Sequence, residues 1–420
     1  MVLILALLLM VSGVGCMPKD NTSDPNTPNT PTEVDFPEYP KKTDMKTDGQ
    51  YYEQEGISFP ESLWETPKSE RYEELDHGNV LAYFITSYEG EQVFCYVGVP
   101  EGASAENPVP GVVLVHGATG TAFYDWVQEW NDRGYAAIAM DTEGRMPAED
   151  TSSHNATGYH ESIKPHGPIN AAFTDSSKPV EGQWVYHALA SVIASTSFLR
   201  SLEGVNPDLI GITGVSYGGF LTCLAVGYDD RYSFAAPVYG CLSNAPSAQR
   251  FGTYINNNAG AEIWDGLGPL EASRTPILFV NSDADTSFAV DSISRCVQAS
   301  KYGAVSFIPG LNHGHWEGAE VKEVFAFADE ICKDGTPLIH VTSEPLNNEL
   351  EIAVPEGVSV VEAKQRYTLS TVLDHFTEWE DDSVEVEDEY VFYSTEDFKE
   401  YYYISIQDDR GYYVSSIVTK

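Results

Sequence analysis

The chain has 420 residues, 42% of them hydrophobic, and a formal net charge of −41 from 64 acidic and 23 basic side chains. This charge argues against nucleic acid and anionic membrane surfaces as partners, and it favours neutral or weakly charged substrates, because like charges repel. The length provides for one large α/β domain and one small domain, and the apolar content is sufficient for a core.

Residues 1–16 are interpreted as a signal peptide that is not part of the fold. The apolar run at residues 1–11 is too short for a comfortable membrane-spanning helix, and small residues follow it up to Cys16. This arrangement resembles a bacterial lipoprotein signal in which Cys16 carries the lipid, and an ordinary secretory signal is the alternative. Residues 17–48 are polar and predict a disordered tether. The expected location is therefore extracytoplasmic, as a surface lipoprotein or a secreted protein, with membrane contact only through the lipid anchor.

Residues 49–335 are predicted to form a catalytic α/β domain. Two opening antiparallel strands are expected at residues 80–87 and 92–99, where apolar and polar residues alternate. Continuous apolar runs then alternate with helical segments, which indicates a mostly parallel sheet covered by helices on both faces. The predicted strands of this series are residues 111–116, 136–141, 209–215, 235–240, 276–281 and 305–310, and the predicted helices are residues 123–133, 184–202, 219–227, 290–301 and 319–332.

Two regions depart from this alternation. Residues 143–182 are polar, contain His and Pro, and follow a predicted strand of the sheet. Because a long irregular segment inside a compact domain is usually functional or disordered, we interpret this one as a cap over the active site. Residues 336–420 contain short apolar runs separated by turn signals, without helical periodicity. They predict a small antiparallel β-sandwich of the immunoglobulin or fibronectin type.

The cysteines do not form a recognisable framework. Apart from Cys16, they stand singly in apolar stretches, at Cys95, Cys223, Cys241, Cys296 and Cys332. An odd number at scattered positions predicts buried free thiols, with one pair involving Cys241 as the alternative. The chain has no zinc-ligand spacing, and the chemistry predicted below requires no metal or cofactor.

The segment Leu209-Ile-Gly-Ile-Thr-Gly-Val-Ser-Tyr-Gly-Gly-Phe220 contains the pattern Gly-x-Ser-x-Gly between an apolar strand and an apolar helix. This is the nucleophile elbow, in which a strained strand-to-helix turn exposes the serine hydroxyl. Gly214 and Gly218 are required because a side chain at either position would collide with the neighbouring strand or helix. Ser216 is therefore the predicted nucleophile.

A serine nucleophile needs a base within hydrogen-bond reach and a carboxylate that orients the base. In this architecture they follow in the chain order Ser, Asp, His. Asp283 and Asp285 follow one late strand, and Asp285 is favoured because it lies further past the strand end. His313 and His315 follow the last strand, and His313 is favoured because it lies three residues past Gly310. Asp283 and His315 are the alternatives.

Backbone N–H groups complete the predicted site. Tyr217, directly after the nucleophile at the start of its helix, and Ala118, in the turn after the first parallel strand, are the expected donors of the oxyanion hole. The aromatic residues Trp184, Tyr186, Tyr217 and Trp316 are candidates for a sugar-stacking surface, with a core role as the alternative.

Several segments together resemble the α/β-hydrolase fold: residues 116–117, 214–219, 309–313 and the turn at Asp285. With residues 126–141 and 237–241, the chain resembles bacterial acetylxylan esterases and related dienelactone-hydrolase-like and prolyl-oligopeptidase-like proteins. The resemblance implies a serine esterase acting on a small ester or an acetylated polysaccharide. Two alternatives stay open: a prolyl-oligopeptidase-like peptidase, and a non-catalytic surface protein that uses a hydrolase-like fold for binding.

Overall fold

The computed structural model describes residues 39, 56–148, 151–152, 159–164, 174–241, 263–285, 287–374, 376–395 and 399–420. The described strands are β1 (Ser69–Arg71), β2 (Val80–Thr86), β3 (Gln92–Gly98), β4 (Val109–Val115), β5 (Ala136–Met140), β6 (Arg145–Pro147), β7 (Tyr159–Glu161), β8 (Val205–Val215), β9 (Tyr232–Val238), β10 (Ile277–Asn281), β11 (Gly303–Phe307), β12 (His340–Val341), β13 (Glu349–Ala353), β14 (Val360–Thr368), β15 (Glu380–Ser383), β16 (Glu385–Glu387), β17 (Tyr390–Phe392), β18 (Tyr401–Asp408) and β19 (Tyr413–Ser415). The described α-helices are α1 (Tyr124–Asp132), α2 (Trp184–Arg200), α3 (Tyr217–Tyr228), α4 (Leu267–Ala272), α5 (Val290–Ala299), α6 (His315–Ala319) and α7 (Lys322–Cys332).

One large sheet runs through the described part of the chain, in the strand order β1-β2-β3-β5-β4-β8-β9-β10-β11-β19-β18-β14-β15. Its central part, from β5 to β11, is parallel throughout. β1, β2 and β3 extend it with antiparallel pairs at one end. The predicted α/β class, with a mostly parallel sheet preceded by antiparallel strands, is confirmed.

The central strands are buried on both faces, which explains their continuous apolar sequences. Every residue of β5, β9 and β10 is buried. The helix α2 is also buried along nearly its whole length. Two of its buried polar side chains are satisfied within the helix, since Ser191 Oγ donates to His187 O and Thr196 Oγ1 donates to Val192 O, both at 2.9 Å.

The parallel register brings the carboxyl ends of three strands to one edge of the sheet. β8 ends at Val215, β10 at Asn281 and β11 at Phe307. Asn281 pairs with Phe307, and Val215 pairs with Val238 at the end of the intervening β9. Ligands of open α/β sheets bind outside this edge, so the loops that follow these strands form the candidate site.

The C-terminal region continues the central sheet. β19 pairs antiparallel with β11 through Ser415 and Val305, and β18, β14 and β15 follow in order. The remaining C-terminal strands form a second antiparallel sheet, in the order β12-β13-β17-β16. The structure therefore contains the antiparallel strands predicted for residues 336–420, but not the predicted separation from the preceding domain. The physical reason is that β11 would otherwise be an edge strand with unpaired backbone groups, and β19 covers that edge.

The cysteines include both a disulfide that involves Cys241 and buried thiols, so each of the two expectations is met in part. Among the described residues, Cys241 and Cys296 form a disulfide that joins the segment after β9 to α5. Cys95, Cys223 and Cys332 form no disulfide with another described residue. Burial raises the pKa of the Cys95 and Cys223 thiols, so both behave as small apolar core residues.

Only part of the predicted cap at residues 143–182 is described. Within it, β6 and β7 form a short antiparallel pair in which Arg145 lies opposite Glu161. The Arg145 guanidinium also lies over the Tyr159 ring, 4.1 Å from its centroid. The role of this segment as a cap stays a prediction.

Cys16 and, apart from Tyr39, the predicted tether at residues 17–48 lie outside the described residues. The Tyr39 ring packs edge-on against Phe327, with ring centroids 6.0 Å apart, and its hydroxyl lies 3.3 Å from His340 Nδ1. Tyr39 lines a cavity of about 720 Å³ at the amino end of β11, away from the edge that holds the candidate site. Among the described residues, no helix combines the length and the apolar character needed to cross a bilayer.

Candidate active site

Ser216 connects β8 directly to α3 and adopts a strained backbone conformation. Its φ of 58° and ψ of −113° are rare for a residue with a side chain. A Cβ atom at Gly214 would lie 2.2 Å from the Gly218 carbonyl oxygen, and one at Gly218 would lie 1.9 Å from the Val115 oxygen. Only glycine permits so close an approach of strand and helix, and this approach turns the serine outward at the edge of the sheet.

Ser216, His313 and Asp285 form a hydrogen-bonded chain. His313 Nε2 lies 3.0 Å from Ser216 Oγ, and His313 Nδ1 lies 2.6 Å from Asp285 Oδ2. An ionised carboxylate only accepts hydrogen bonds, so the Nδ1–H group donates to Asp285. This tautomer leaves Nε2 as the acceptor for the Ser216 hydroxyl, which is the arrangement that a general base requires.

Asp285 is held from both sides. Its side chain is only 2% exposed. While Oδ2 faces His313, Oδ1 accepts hydrogen bonds from the backbone N–H groups of Ser287 at 2.8 Å and Phe288 at 2.6 Å. The carboxylate therefore has a single orientation, and it fixes the imidazole in turn.

The two alternative residues lie in different environments. Asp283 Oδ2 accepts hydrogen bonds from Arg366 and Tyr403 of the C-terminal strands. Both ring nitrogens of His315 are buried and have no hydrogen-bond partner among the described residues, and the ring packs against Phe123, with centroids 4.2 Å apart. Burial, with a smaller contribution from the neighbouring His116, lowers the pKa of His315 to about 3.

Tyr239 supports the histidine loop, although no sequence motif assigns it a role. Its ring lies 4.8 Å from the His313 ring, and its hydroxyl donates to Asn312 O at 2.7 Å. Burial raises the pKa of Tyr239, so the phenol stays protonated and remains a donor. The only signal in the sequence was its place in the segment 237–241, on which part of the family resemblance rests.

The turn after β4 lies directly beside the nucleophile. A Cβ atom at Gly117 would lie 3.3 Å from Ser216 Cβ. Ala118 follows it and is partly exposed, and within the described part of the chain its N–H group donates to no protein acceptor. Tyr217 is the first residue of α3. Both predicted oxyanion donors therefore belong to segments that adjoin Ser216.

A polar network that no sequence motif indicates supports this turn. His116 Nδ1 donates to Gly117 O at 2.7 Å, while His116 Nε2 accepts from Thr142 N at 2.9 Å. The N–H group of Thr119 donates to Glu143 Oε1 at 3.0 Å. Residues after β5 thus hold the backbone on both sides of Ala118.

Glu143 is itself restrained by charge and burial. It is 1% exposed, and its Oε2 forms an ion pair with Arg145 Nη1 at 2.6 Å. Asp141 Oδ2 accepts hydrogen bonds from the backbone N–H groups of both residues, at 3.0 Å and 2.8 Å. No local motif indicates such a network, because its members act on a turn more than twenty residues earlier in the chain.

Two of the predicted sugar-stacking residues, Trp184 and Tyr186, are core residues. Trp184 and Tyr186 are each 1% exposed, so neither ring presents a face to a substrate, and the prediction is wrong for both. Trp184 Nε1 donates to Thr142 O at 2.7 Å, and the Tyr186 hydroxyl donates to Ser58 O at 2.6 Å. Trp316, in α6, is partly exposed.

No group of three or more His, Cys, Asp or Glu side chains within the described ranges is arranged to hold a metal ion.

Residues 172–334 match the model of the prolyl oligopeptidase family. Among solved structures, the acetyl xylan esterase from Paenibacillus sp. R4 is similar, with a TM-score of 0.52 and 17% identity over 64% of this chain and 91% of that one. Acetyl xylan esterase 1 from Thermoanaerobacterium sp. JW/SL YS485 has a TM-score of 0.47 and 14% identity over 64% and 91%. An acylaminoacyl peptidase from Pyrococcus horikoshii has a TM-score of 0.45 and 15% identity over 64% and 42%. At 17% identity, the likeness to the Paenibacillus enzyme concerns the fold alone.

Proposed function

We propose that this chain, whose fold is of the α/β-hydrolase type, is a serine esterase that cleaves carboxylic esters through an acyl-enzyme. The observation that carries the proposal is the position of His313, whose two ring nitrogens lie 3.0 Å from Ser216 Oγ and 2.6 Å from Asp285 Oδ2. These distances are within the range for proton transfer from a nucleophile to a base and for orientation of that base.

In the proposed reaction, Ser216 Oγ attacks the ester carbonyl carbon and His313 Nε2 accepts the hydroxyl proton. The N–H groups of Ala118 and Tyr217 donate to the oxyanion, and one such donor contributes about 2.7–4 kcal/mol to transition-state stabilisation. The carbon–oxygen bond to the alcohol then breaks as His313 returns the proton to the leaving oxygen. Water, deprotonated by His313, next hydrolyses the acyl-enzyme and regenerates Ser216. Asp285 stabilises the imidazolium throughout.

We further propose an acetylated carbohydrate as the substrate. The net charge of −41 favours a neutral substrate over a polyanionic one. The fold shared with the Paenibacillus acetyl xylan esterase motivates the choice of acetyl esters for the first assays. Of the aromatic residues predicted to stack on sugar, Trp316 retains an exposed surface, and Tyr217 beside the nucleophile is also partly exposed.

An extracytoplasmic location is part of the proposal. The Cys241–Cys296 disulfide supports it, because structural disulfides persist mainly in oxidising compartments. Attachment through a lipid on Cys16 remains the proposed form of membrane contact, with plain secretion as the alternative. Intact-protein mass of the purified mature chain distinguishes the two.

Ser216→Ala tests the activity most simply. We expect it to lower kcat for p-nitrophenyl acetate by on the order of 10⁶-fold, to the background rate, because the nucleophile is removed. Ser201→Ala, at an exposed serine at the end of α2, is the matched control and should retain full activity. Retained hydrolysis by a folded Ser216→Ala protein would show that the assignment is wrong. Acetylated xylan and longer p-nitrophenyl esters then define the substrate.

A peptidase is the second candidate, and the match of residues 172–334 to the prolyl oligopeptidase family favours it. The same triad would then attack an amide carbonyl, with His313 protonating the leaving amine. Turnover of a peptide amide without turnover of acetyl esters would support this candidate over the esterase. Failure of a fluorophosphonate to label Ser216 would instead favour a binding protein without catalysis.

A further inference from the structure

Side chains of the C-terminal strands hold the loop that carries Asp285. Asp283 lies in the same turn after β10, which is closed by a hydrogen bond from Asp285 N to Ser282 O at 3.2 Å. Asp283 Oδ2 accepts hydrogen bonds from Arg366 Nη2 at 2.5 Å and from the Tyr403 hydroxyl at 2.8 Å. Arg366 belongs to β14 and Tyr403 to β18, so two strands of the C-terminal region act on one carboxylate.

These contacts restrain Asp283 strongly because they are buried and partly charged. Asp283 is 7% exposed and Tyr403 is fully buried. Burial, together with the Asp283 charge, raises the pKa of Tyr403, so its phenol stays protonated and donates. Trp379 adds a third hydrogen bond, from Nε1 to the backbone oxygen of Asp283 at 3.2 Å. Charge-assisted hydrogen bonds in such surroundings are stronger than those exposed to water.

Tyr403 also contacts the strand that leads to the histidine loop. Its ring lies 5.1 Å from the ring of Phe307, the last residue of β11. Six residues later the chain reaches His313. One buried tyrosine therefore contacts both the loop of the proposed acid and the strand that precedes the proposed base.

We propose that Arg366 and Tyr403 are positioning residues that set the hydrogen bond between Asp285 and His313 by holding Asp283. This inference rests on the roles of Asp285 and His313 in the proposed function. It makes the C-terminal strands part of the catalytic apparatus, in addition to their role in covering the edge of β11. Its physical basis is that a displacement of about 1 Å in a catalytic group can lower the rate about 10²-fold.

Arg366→Met removes the guanidinium and retains an aliphatic chain. We expect it to lower kcat for p-nitrophenyl acetate about 10- to 100-fold and to leave KM within about twofold, because the substrate contacts are unchanged. Lys364→Met is the matched control. Lys364 lies two residues earlier on β14 and pairs with Glu362 at 3.0 Å and Asp381 at 3.7 Å, but not with Asp283. It should keep both constants within about twofold of the wild type.

Three further variants separate positioning from folding. Arg366→Lys restores a charged donor and should recover part of the lost kcat. Tyr403→Phe keeps the ring and removes only the hydroxyl, so we expect a smaller loss of kcat, about 3- to 10-fold. In the double variant Asp283→Asn with Arg366→Met, the two losses should not add, because both act through one contact. Near-ultraviolet circular dichroism and assays well below the unfolding temperature restrict the comparison to folded protein.

The inference is overturned if Arg366→Met and Tyr403→Phe both keep kcat within about twofold of the wild type, or if Lys364→Met loses as much as Arg366→Met. Ser216→Ala assayed in parallel keeps this result separate from the proposed function. Activity that remains in Ser216→Ala contradicts the proposed function itself. Hydrolysis that depends on Ser216 but not on Arg366 contradicts only the positioning role.

Discussion

Ser216 and Asp285 lie beyond the carboxyl ends of β8 and β10, yet different kinds of contact hold them in place. The serine is fixed by its own neighbours, through the close approaches at Gly214 and Gly218. The acid lies in a turn that Arg366 and Tyr403 restrain through Asp283, from strands that follow some eighty residues or more later in the chain. A site residue fixed by local backbone can be identified from sequence, whereas one fixed by distant segments cannot be separated from a similar neighbour.

Replacing each of the two carboxylates separately by asparagine tests this contrast, and it has the largest expected effect on kcat. Asp285→Asn should lower kcat about 10⁴-fold, because the amide no longer holds the histidine in the required tautomer. Asp283→Asn should lower kcat by no more than about 10²-fold, because the residue acts only through position. Steady-state kinetics with p-nitrophenyl acetate measures both. Equal losses, or a larger loss for Asp283→Asn, would contradict the assignment of the acid.

Gly218→Ala tests the local steric control of the turn that carries Ser216, and it should destabilise the folded protein. A Cβ atom there would lie 1.9 Å from a backbone oxygen of β4, which cannot move without displacing the strand. We expect a loss of more than about 3 kcal/mol in the free energy of unfolding, measured by urea denaturation. Gly310→Ala is the control, because Gly310 has a φ of 75° but no atom within 4 Å of the added methyl group. It should cost only about 1–2 kcal/mol, and similar losses in both variants would argue against local steric control of the elbow.

The turn after β4 that carries Ala118 also depends on a distant segment of the chain, through Glu143. In this respect it resembles the turn that carries Asp285. Glu143→Ala removes the acceptor of the Thr119 N–H group, and we expect about a 10-fold decrease in kcat as the Ala118 donor loses alignment. Glu143→Gln retains an acceptor oxygen and should stay closer to the wild type. Equal kinetics for the alanine and glutamine variants would show that this hydrogen bond does not align the turn.

The pH dependence of the free energy of unfolding distinguishes the buried His315 from the proposed base His313. Its pKa of about 3 in the folded protein is lower than the ordinary histidine value of 6.5. Between these values the unfolded chain binds a proton that the folded protein excludes, so stability falls as the pH decreases below about 6.5, by up to about 1.4 kcal/mol per pH unit. His315→Leu should lose this contribution. Urea unfolding of both proteins at several pH values measures it, and parallel pH profiles would contradict a neutral buried imidazole.

Most of the fold was predictable, since periodicity and continuous apolar runs identified the parallel strands and most of the helices that cover them. The continuity between β11 and β19 was not, because their paired residues Val305 and Ser415 are about 110 positions apart and neither sequence indicates its partner. The short strands at residues 336–420 indicated antiparallel pairing correctly. They contained no information on which sheet they would join.

The residues of the candidate site likewise include some that the sequence predicts and some that it does not. The elbow pattern predicted the strained turn at Ser216, and chain order limited the acid and the base to two close pairs. Burial excluded Trp184 as a stacking residue, and an aromatic residue in a helix gives no sequence signal for its depth. Glu143 and Tyr239 escaped prediction because each acts through a hydrogen bond to backbone in another part of the chain.

The central claim is that Ser216 is a nucleophile activated by His313. Fluorophosphonate labelling followed by peptide mapping tests it most directly, because the reagent reacts with an activated serine and leaves a covalent mass on it. The account predicts one labelled peptide, modified at Ser216, no label in Ser216→Ala, and much slower labelling in His313→Gln. Label on another residue, or an equal rate of labelling without His313, would contradict it.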